Sequence, residues 1–290
     1  MRVVGFSFIK NAILFDYPIV EALNSILPLC DEIVVAVGKS DDDTLSLIKS
    51  IDSNKIKIIE TLWDETQRVG GRVLALETDK AFQSIDEEAD WCFYIQGDEV
   101  VHEKDYERIR NAMLQYQNDK NVDGLLFGYN HFYGSFDYVA TSSGWYKNEI
   151  RIIKNNKKIY SFRDAQGFRK DDNKMLKVKK IDATIHHYGW VKSPSKMQSK
   201  QQSFQKHWHD DAWIDRHIAK ADEFDYTGID VLERYNGTHP LVMAERIKTQ
   251  NWKFDRDISQ NRITAKEAVK SWFRKYLGLD FSYKNYILVK

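Results

Sequence analysis

Four short apolar runs, at 3–9, 32–38, 56–62 and 91–95, alternate with stretches of helical rhythm, and this alternation constrains the fold more than any other feature of the chain. The run 32–38 reads Glu-Ile-Val-Val-Ala-Val-Gly, without the in-out pattern of a strand wetted on one side. Continuous apolar strands belong to parallel sheets covered on both faces. The intervening segments suit the covering helices. Leu14, Ile19, Leu23, Ile26 and Leu27 make an apolar stripe over 11–29, with Pro18 either in the first turn or splitting the helix. Helices are also expected over 44–51 and, after Gly70 and Gly71, over 72–85 with Leu74, Leu76, Ala81 and Phe82 apolar. Successive strand, helix and strand make right-handed βαβ units. Residues 1–100 are therefore expected to form an open, mostly parallel sheet.

Beyond residue 100 the alternation loosens. A helix over 105–117 is followed by an aromatic-rich strand at 124–133 and further strands at 150–154 and 178–187, which predicts a mixed sheet extending the first. From about 195 the pattern turns helical. The expected architecture is thus α/β, with one domain over 1–194, divided into halves 1–100 and 101–194, and a helical C-terminal region over 195–290. A 42% apolar and 13% aromatic composition is enough to bury a core of that size. Lys plus Arg and Asp plus Glu balance at 43 each, so bulk charge gives no argument for nucleic-acid binding. Cys30 and Cys92 lack any metal or redox spacing, and two free thiols suit a reducing cytoplasm. No run approaches the roughly 20 apolar residues of a spanning helix, and the N-terminus lacks the pattern of a signal peptide.

In open α/β sheets, ligands bind where the carboxyl ends of the strands open into a crevice. Three polar clusters sit at such ends: Lys10-Asn11 after the first run, Ser40-Asp41-Asp42-Asp43 after the second, and Gln96-Gly97-Asp98-Glu99 after the fourth. One acidic loop is commonplace; recurrence at one edge is the signal. A nucleoside diphosphate leaving group gathers negative charge as its bond to a sugar breaks, and a divalent cation stabilises that charge. Such cations take one or two carboxylates plus phosphates and water. Asp98, preceded by a glycine that admits close approach, meets that need.

The order of these elements and motifs resembles glycosyltransferase family 2, which has the GT-A fold, a Rossmann-like, mostly parallel mixed sheet with flanking helices. The resemblance covers about residues 1–200. The family carries Asp-X-Asp at the end of its fourth strand, and Gln96-Gly97-Asp98 takes that place, so Gln96 replaces the first aspartate. The resemblance implies that Asp98 binds a divalent cation, Mn2+ or Mg2+. Gln96 can hydrogen-bond a ribose or sugar hydroxyl but brings no charge. Asp41, with Asp42 close behind, is implied to contact the nucleoside; N-capping of the next helix also explains these carboxylates. Arg72 falls where a basic residue faces the diphosphate, and a solvated surface charge explains it equally. Lys10, Asn11 and Gly97 complete the expected donor set.

The run Thr184-Ile185-His186-His187-Tyr188-Gly189-Trp190 is the second informative stretch. Neighbours in a strand point to opposite faces, so the two histidines do not share a site. The resemblance implies that one completes the metal shell; His187 fits the His-Tyr-Gly frame, with His186 the fallback. Lys192, downstream, is a candidate partner for phosphate. Inverting members need a base for the acceptor hydroxyl. Asp164 is the candidate, with Glu149 and Asp137 as rivals; an ion pair with Arg163 or Arg169 is its structural explanation. Tyr129, His131, Phe132, Tyr133, Trp145 and Tyr146 suit sugar faces or a core. His207 and His209 suggest zinc only weakly, because i and i+2 on a helix point apart.

The sequence thus predicts a metal-assisted sugar transferase. Its partners are a nucleotide-sugar donor and a glycan or lipid-linked acceptor. A basic, aromatic amphipathic stretch over 264–277 is expected either to contact an anionic membrane or to pack on the domain. Two other functions fit less well. A nucleotidyltransferase would show a glycine-rich basic loop after the first strand, and Phe8-Ile9-Lys10-Asn11 has no glycine. A non-catalytic nucleotide- or sugar-binding module is consistent with Gln96.

Overall fold

The computed structural model describes residues 1–64, 66–67, 69–208, 211–217, 221–229, 231–261, 269, 272, 276 and 284–289. Its nucleus is four parallel strands, β1 (Val3–Ile9), β2 (Glu32–Gly38), β3 (Ile56–Thr61) and β4 (Trp91–Tyr94), in the spatial order β3-β2-β1-β4. Side chains of β1 and β2 alternate between two buried layers. Val3, Ile33, Val35 and Val37 face one core, while Val4, Phe6, Val34 and Ala36 face the other. This two-sided burial is what the unbroken apolar runs required. Helix α1 (Ile19–Ile26) covers the first face, and α3 (Arg72–Gln83) covers the second with Val73, Leu74, Ala81 and Phe82; the shorter α2 (Thr44–Lys49) lies between β2 and β3 in sequence.

The sheet then becomes mixed. The sequence continues through β5 (Glu99–Val101), α4 (Tyr106–Tyr116), β6 (Gly124–Tyr133), β7 (Tyr138–Ala140) and β8 (Asn148–Lys154). Strand β8 runs antiparallel to β4 and pairs with the first half of β6, whose second half pairs with β7. A small separate sheet holds β9 (Ile159–Phe162), β10 (Gly167–Lys170) and β11 (Lys174–Met175). The long β12 (Lys177–Trp190) lies parallel to β6 and antiparallel to β5. The expected α/β, Rossmann-like mixed sheet with flanking helices is therefore present.

Two expectations change. The helix expected over 11–29 begins only at Ile19. Asn11 and Asp16 adopt left-handed backbone, with φ of 55° and 50°, and Pro18 occupies the N-cap, so the preceding residues form a compact loop. The region after 195, expected to be helical, carries α5 (Pro194–Phe204), α6 (Asp211–His217) and α7 (Ala244–Lys248) but also two strands. Strand β13 (Leu232–Arg234) extends the sheet beside β7, and β14 (Ile287–Leu288) pairs with the start of β12. These pieces add to the same sheet. Of the amphipathic stretch 264–277, only Val269, Trp272 and Tyr276 are described, as helical and exposed; the rest, like His209 and Asp210, lies outside the described residues.

Candidate active site

A cavity of about 840 Å³ opens at the carboxyl ends of β1, β2 and β4. Strand β1 has β2 on one side and β4 on the other. This is the place where the strand order reverses, the ligand crevice of open α/β sheets. Lys10, Asn11, Asp41, Gln96, Gly97, Asp98, Asp164 and His187 all line it. The structure thus gathers residues from both halves of the chain. Asp42 and Arg72 are not in the lining. The Asp42 carboxylate accepts from the Leu14 amide at 2.7 Å and the Thr44 amide at 3.0 Å, so it braces the loop over α2. Arg72 begins α3 and is exposed.

The Gln96–Asp98 turn is held from three sides. The Ile95 amide bonds to Phe6 O, the Glu99 amide to Gln96 O, and the Tyr188 amide to Asp98 O at 2.8 Å. A Cβ on Gly97 would lie 2.9 Å from Ile9 Cδ1, so any larger residue here would have to push that side chain aside. Glu99 points away from the cavity. It is wholly buried, receives a two-pronged bond from Arg151, and accepts from the Tyr129 hydroxyl and the Gln96 amide. Gln96 Nε2 donates to Tyr94 Oη and Ala165 O, both at 3.1 Å, which ties the turn to the Asp164 loop.

Register explains how His187 joins Asp98. His187 pairs with Glu99 across the antiparallel β12–β5 ladder and with His131 across the parallel β12–β6 ladder. His187 Nε2 lies 3.6 Å from Asp98 Oδ2. His186 faces the opposite side, where Nε2 bonds Tyr235 Oη at 3.0 Å and the ring stacks on Phe132. The fallback residue therefore lies on the far side of the strand from Asp98.

The hydrogen-bond network fixes the tautomer of His187. His131 Nε2 lies 3.0 Å from Tyr146 O, which can only accept, so Nε2 carries the proton. Burial, reinforced by His187, holds His131 well below the ordinary imidazole value, so it is neutral and its Nδ1 accepts. His187 Nδ1 donates across 3.2 Å. His187 Nε2 is left facing Asp98. A Cβ on Gly189 would sit 2.5 Å from both Asp98 Oδ2 and His187 Nε2, so only glycine leaves these atoms room. A carboxylate oxygen and an imidazole nitrogen that converge at 3.6 Å suit a divalent cation shared between them. Among the described residues no group of three or more His, Cys, Asp or Glu could hold a metal. Of the described residues, Asp98 and His187 would hold a divalent cation here, with phosphate and water supplying its other ligands.

Lys200, which the sequence reading missed, donates to Gly189 O at 2.9 Å and approaches Asp98 Oδ2 at 3.3 Å. Burial alone would raise the Asp98 carboxyl, but the Lys200 ammonium and His187 outweigh it and hold it well below the usual carboxylate range. Lys192 is wholly buried and bonds Asp16 O, so it anchors the 11–17 loop rather than facing the cavity. Burial and the nearby Lys200 push its ammonium down to about 7. Phe15, Tyr17, Trp63 and Lys206 are further lining residues that no motif flagged.

Of the three candidate bases, Asp164 alone lines the cavity among the described residues. It sits between Arg163 and Ala165, whose φ of 57° and 63° place both in the left-handed region. Burial raises its carboxyl above the ordinary value. Asp137 is exposed and accepts from Ser135 Oγ. Glu149 is buried 3.9 Å from Arg151, and burial, against the pull of that arginine, pushes it up to about 8. Folded Glu149 thus keeps its proton up to about pH 8, whereas the unfolded chain releases it near the ordinary value of about 4.3. Stability should fall as pH rises between those values, and Glu149→Gln should flatten that slope in urea midpoints measured from pH 5 to 8. An unchanged slope would contradict a protonated Glu149.

No family model matches the chain, and no curated protein matches it. Among solved structures it is similar to S. aureus TarS, at 14% identity over 70% of this chain and 39% of that one, with a TM-score of 0.39. A 4-diphosphocytidyl-2C-methyl-D-erythritol synthase from Anaerococcus prevotii gives 15% identity over 66% of this chain and 91% of that one, with a TM-score of 0.38. Glucosyl-3-phosphoglycerate synthase from Mycobacterium tuberculosis, in complex with Mn2+, UDP and phosphoglyceric acid, gives 15%, 46% and 43%, with a TM-score of 0.29. This chain spans 39% of the length of TarS. No helix of the described residues is long and apolar enough to cross a membrane.

Proposed function

We propose that this chain transfers a sugar, with inversion, from a nucleoside-diphosphate sugar to a glycan or lipid-linked acceptor. The observation that carries the reading is the convergence of Asp98 Oδ2 and His187 Nε2, 3.6 Å apart, on the crevice at the sheet's reversal point. In this reading Asp98 and His187 hold a divalent cation, which when bound stabilises charge on the leaving diphosphate. Asn11 and Asp41 bond each other reciprocally at 2.8 and 2.9 Å, which fixes the Asp41 carboxylate at the nucleoside end. Lys10, Lys200 and Lys206 give the cavity positive charge for phosphates. Asp164, across the cavity, accepts the proton of the attacking hydroxyl.

A panel of nucleotide sugars tests this. One donor should raise the melting temperature with Mn2+ or Mg2+ present and release its nucleoside diphosphate over time. If none does either, the reading fails. Replacing Asp164 with asparagine should lower transfer on the order of 100-fold while leaving donor binding intact. Because burial raises the Asp164 carboxyl, wild-type activity should climb with pH along a limb above the ordinary carboxylate range. That limb should vanish in Asp164→Asn; its persistence would assign the base elsewhere.

A further inference from the structure

Asp98 already has a cation. Lys200 Nζ stands 3.3 Å from the Asp98 Oδ2 that faces His187, and its bond to Gly189 O, 2.9 Å long, seats it there. The side chain is 11% exposed and its ammonium lies 4.9 Å from the centre of the Tyr17 ring, so it is packed in place. The preceding turn of α5 is also fastened, with Lys196 Nζ donating to Leu14 O at 3.1 Å. Lysines 196 and 200, four apart, lie on one helix face and clamp α5 over the 14–17 loop and the mouth of the cavity. A divalent cation bound at the same carboxylate oxygen would meet the Lys200 ammonium at close range. Like charges that close repel strongly when partly shielded from water.

We propose that Lys200 is the resident counter-cation of Asp98, that it competes with the divalent cation for this carboxylate, and that the donor's diphosphate relieves the competition by taking over the ammonium. Metal and diphosphate then load together, each weakly alone. This inference rests on the nucleotide-sugar reading for its donor step, but its metal step stands on Asp98, His187 and Lys200. It also gives Lys200 a task after loading: pairing with the diphosphate it has moved towards.

The test is manganese binding to the full chain, read from the loss of the free-ion signal in electron paramagnetic resonance, without and with UDP or GDP. Wild type should bind manganese weakly alone and at least tenfold more tightly with the matching diphosphate. Lys200→Met keeps the packed stem and removes the charge; it should bind manganese alone at least tenfold more tightly than wild type. That gain should disappear in Lys200→Met combined with Asp98→Ala. Lys200→Arg, which keeps the charge, should stay weak. Manganese affinity unchanged in Lys200→Met, or raised equally in Lys200→Arg, would overturn the inference. If neither diphosphate binds wild type while Lys200→Met still gains manganese, the nucleotide-sugar reading fails and the competition at Asp98 survives.

Discussion

Asp98→Ala is expected to lower release of nucleoside diphosphate from the matching donor on the order of 1,000-fold, the upper size of effect seen when a group that stabilises a developing anion is lost. The carboxylate is buried at 8% exposure, faces His187, and is held well below the usual range by Lys200 and His187 against the cost of burial. It is therefore ionised across all working pH values and available as a cation ligand. Removing it leaves the fold standing, because the turn is held by backbone bonds through Ile95, Glu99 and Tyr188. Circular dichroism should thus change little while initial rates collapse, and any fall in melting temperature should trace to Lys200, which loses its counter-ion. Asp98→Asn, with nearly the same shape, should lose almost as much, which separates charge from packing. An asparagine variant within threefold of wild type would sink the assignment.

The parts of this fold that were legible in the sequence are those with a periodic signal. The runs that became β1, β2 and β4 are buried on both faces, so they are almost wholly apolar, and their strand ends mark the crevice directly; the edge strand β3 exposes Lys57 and Glu60. The 11–17 loop was misread because Asn11 and Asp16 take left-handed backbone, which leaves no trace in hydrophobic spacing. Strands β13 and β14, three and two residues long, are too short to carry a period. Lys10, Asn11, Asp41, Gln96, Gly97 and Asp98, named from the strand ends, line the cavity; contacts that depend on register left no mark in the sequence. That His131 sets the tautomer of His187 follows only once β6 lies beside β12. Lys200 reaches Asp98 from a helix 102 residues away. Asp42 and Arg72 show the converse, since a motif places a residue near a site without deciding where its side chain turns.

The largest stability effect should come from Arg151, which no motif marks. Its guanidinium is 1% exposed and gives two parallel bonds to wholly buried Glu99, a third to Ile150 O at 2.9 Å, and stacks near the rings of Tyr94 and Tyr129. Two charges removed from water repay their desolvation only while both are present. Arg151→Ala leaves the Glu99 carboxylate buried with only neutral donors, from Tyr129 and the Gln96 amide. The expected loss is about 3–5 kcal/mol, visible as a large drop in the urea midpoint at constant slope. Adding Glu99→Gln should recover part of it, because an uncharged amide needs no counter-ion, although its single oxygen accepts only one of the bonds that Tyr129 and the Gln96 amide give to separate carboxylate oxygens. Because Glu99 also accepts the Gln96 amide, the single variant should slacken the turn that carries Asp98 and weaken diphosphate binding before the chain unfolds. Glu99→Gln alone should instead strand Arg151. If the double variant were no more stable than Arg151→Ala, the loss would come from the arginine's packing against Tyr94 and Tyr129 and not from an unpaired charge.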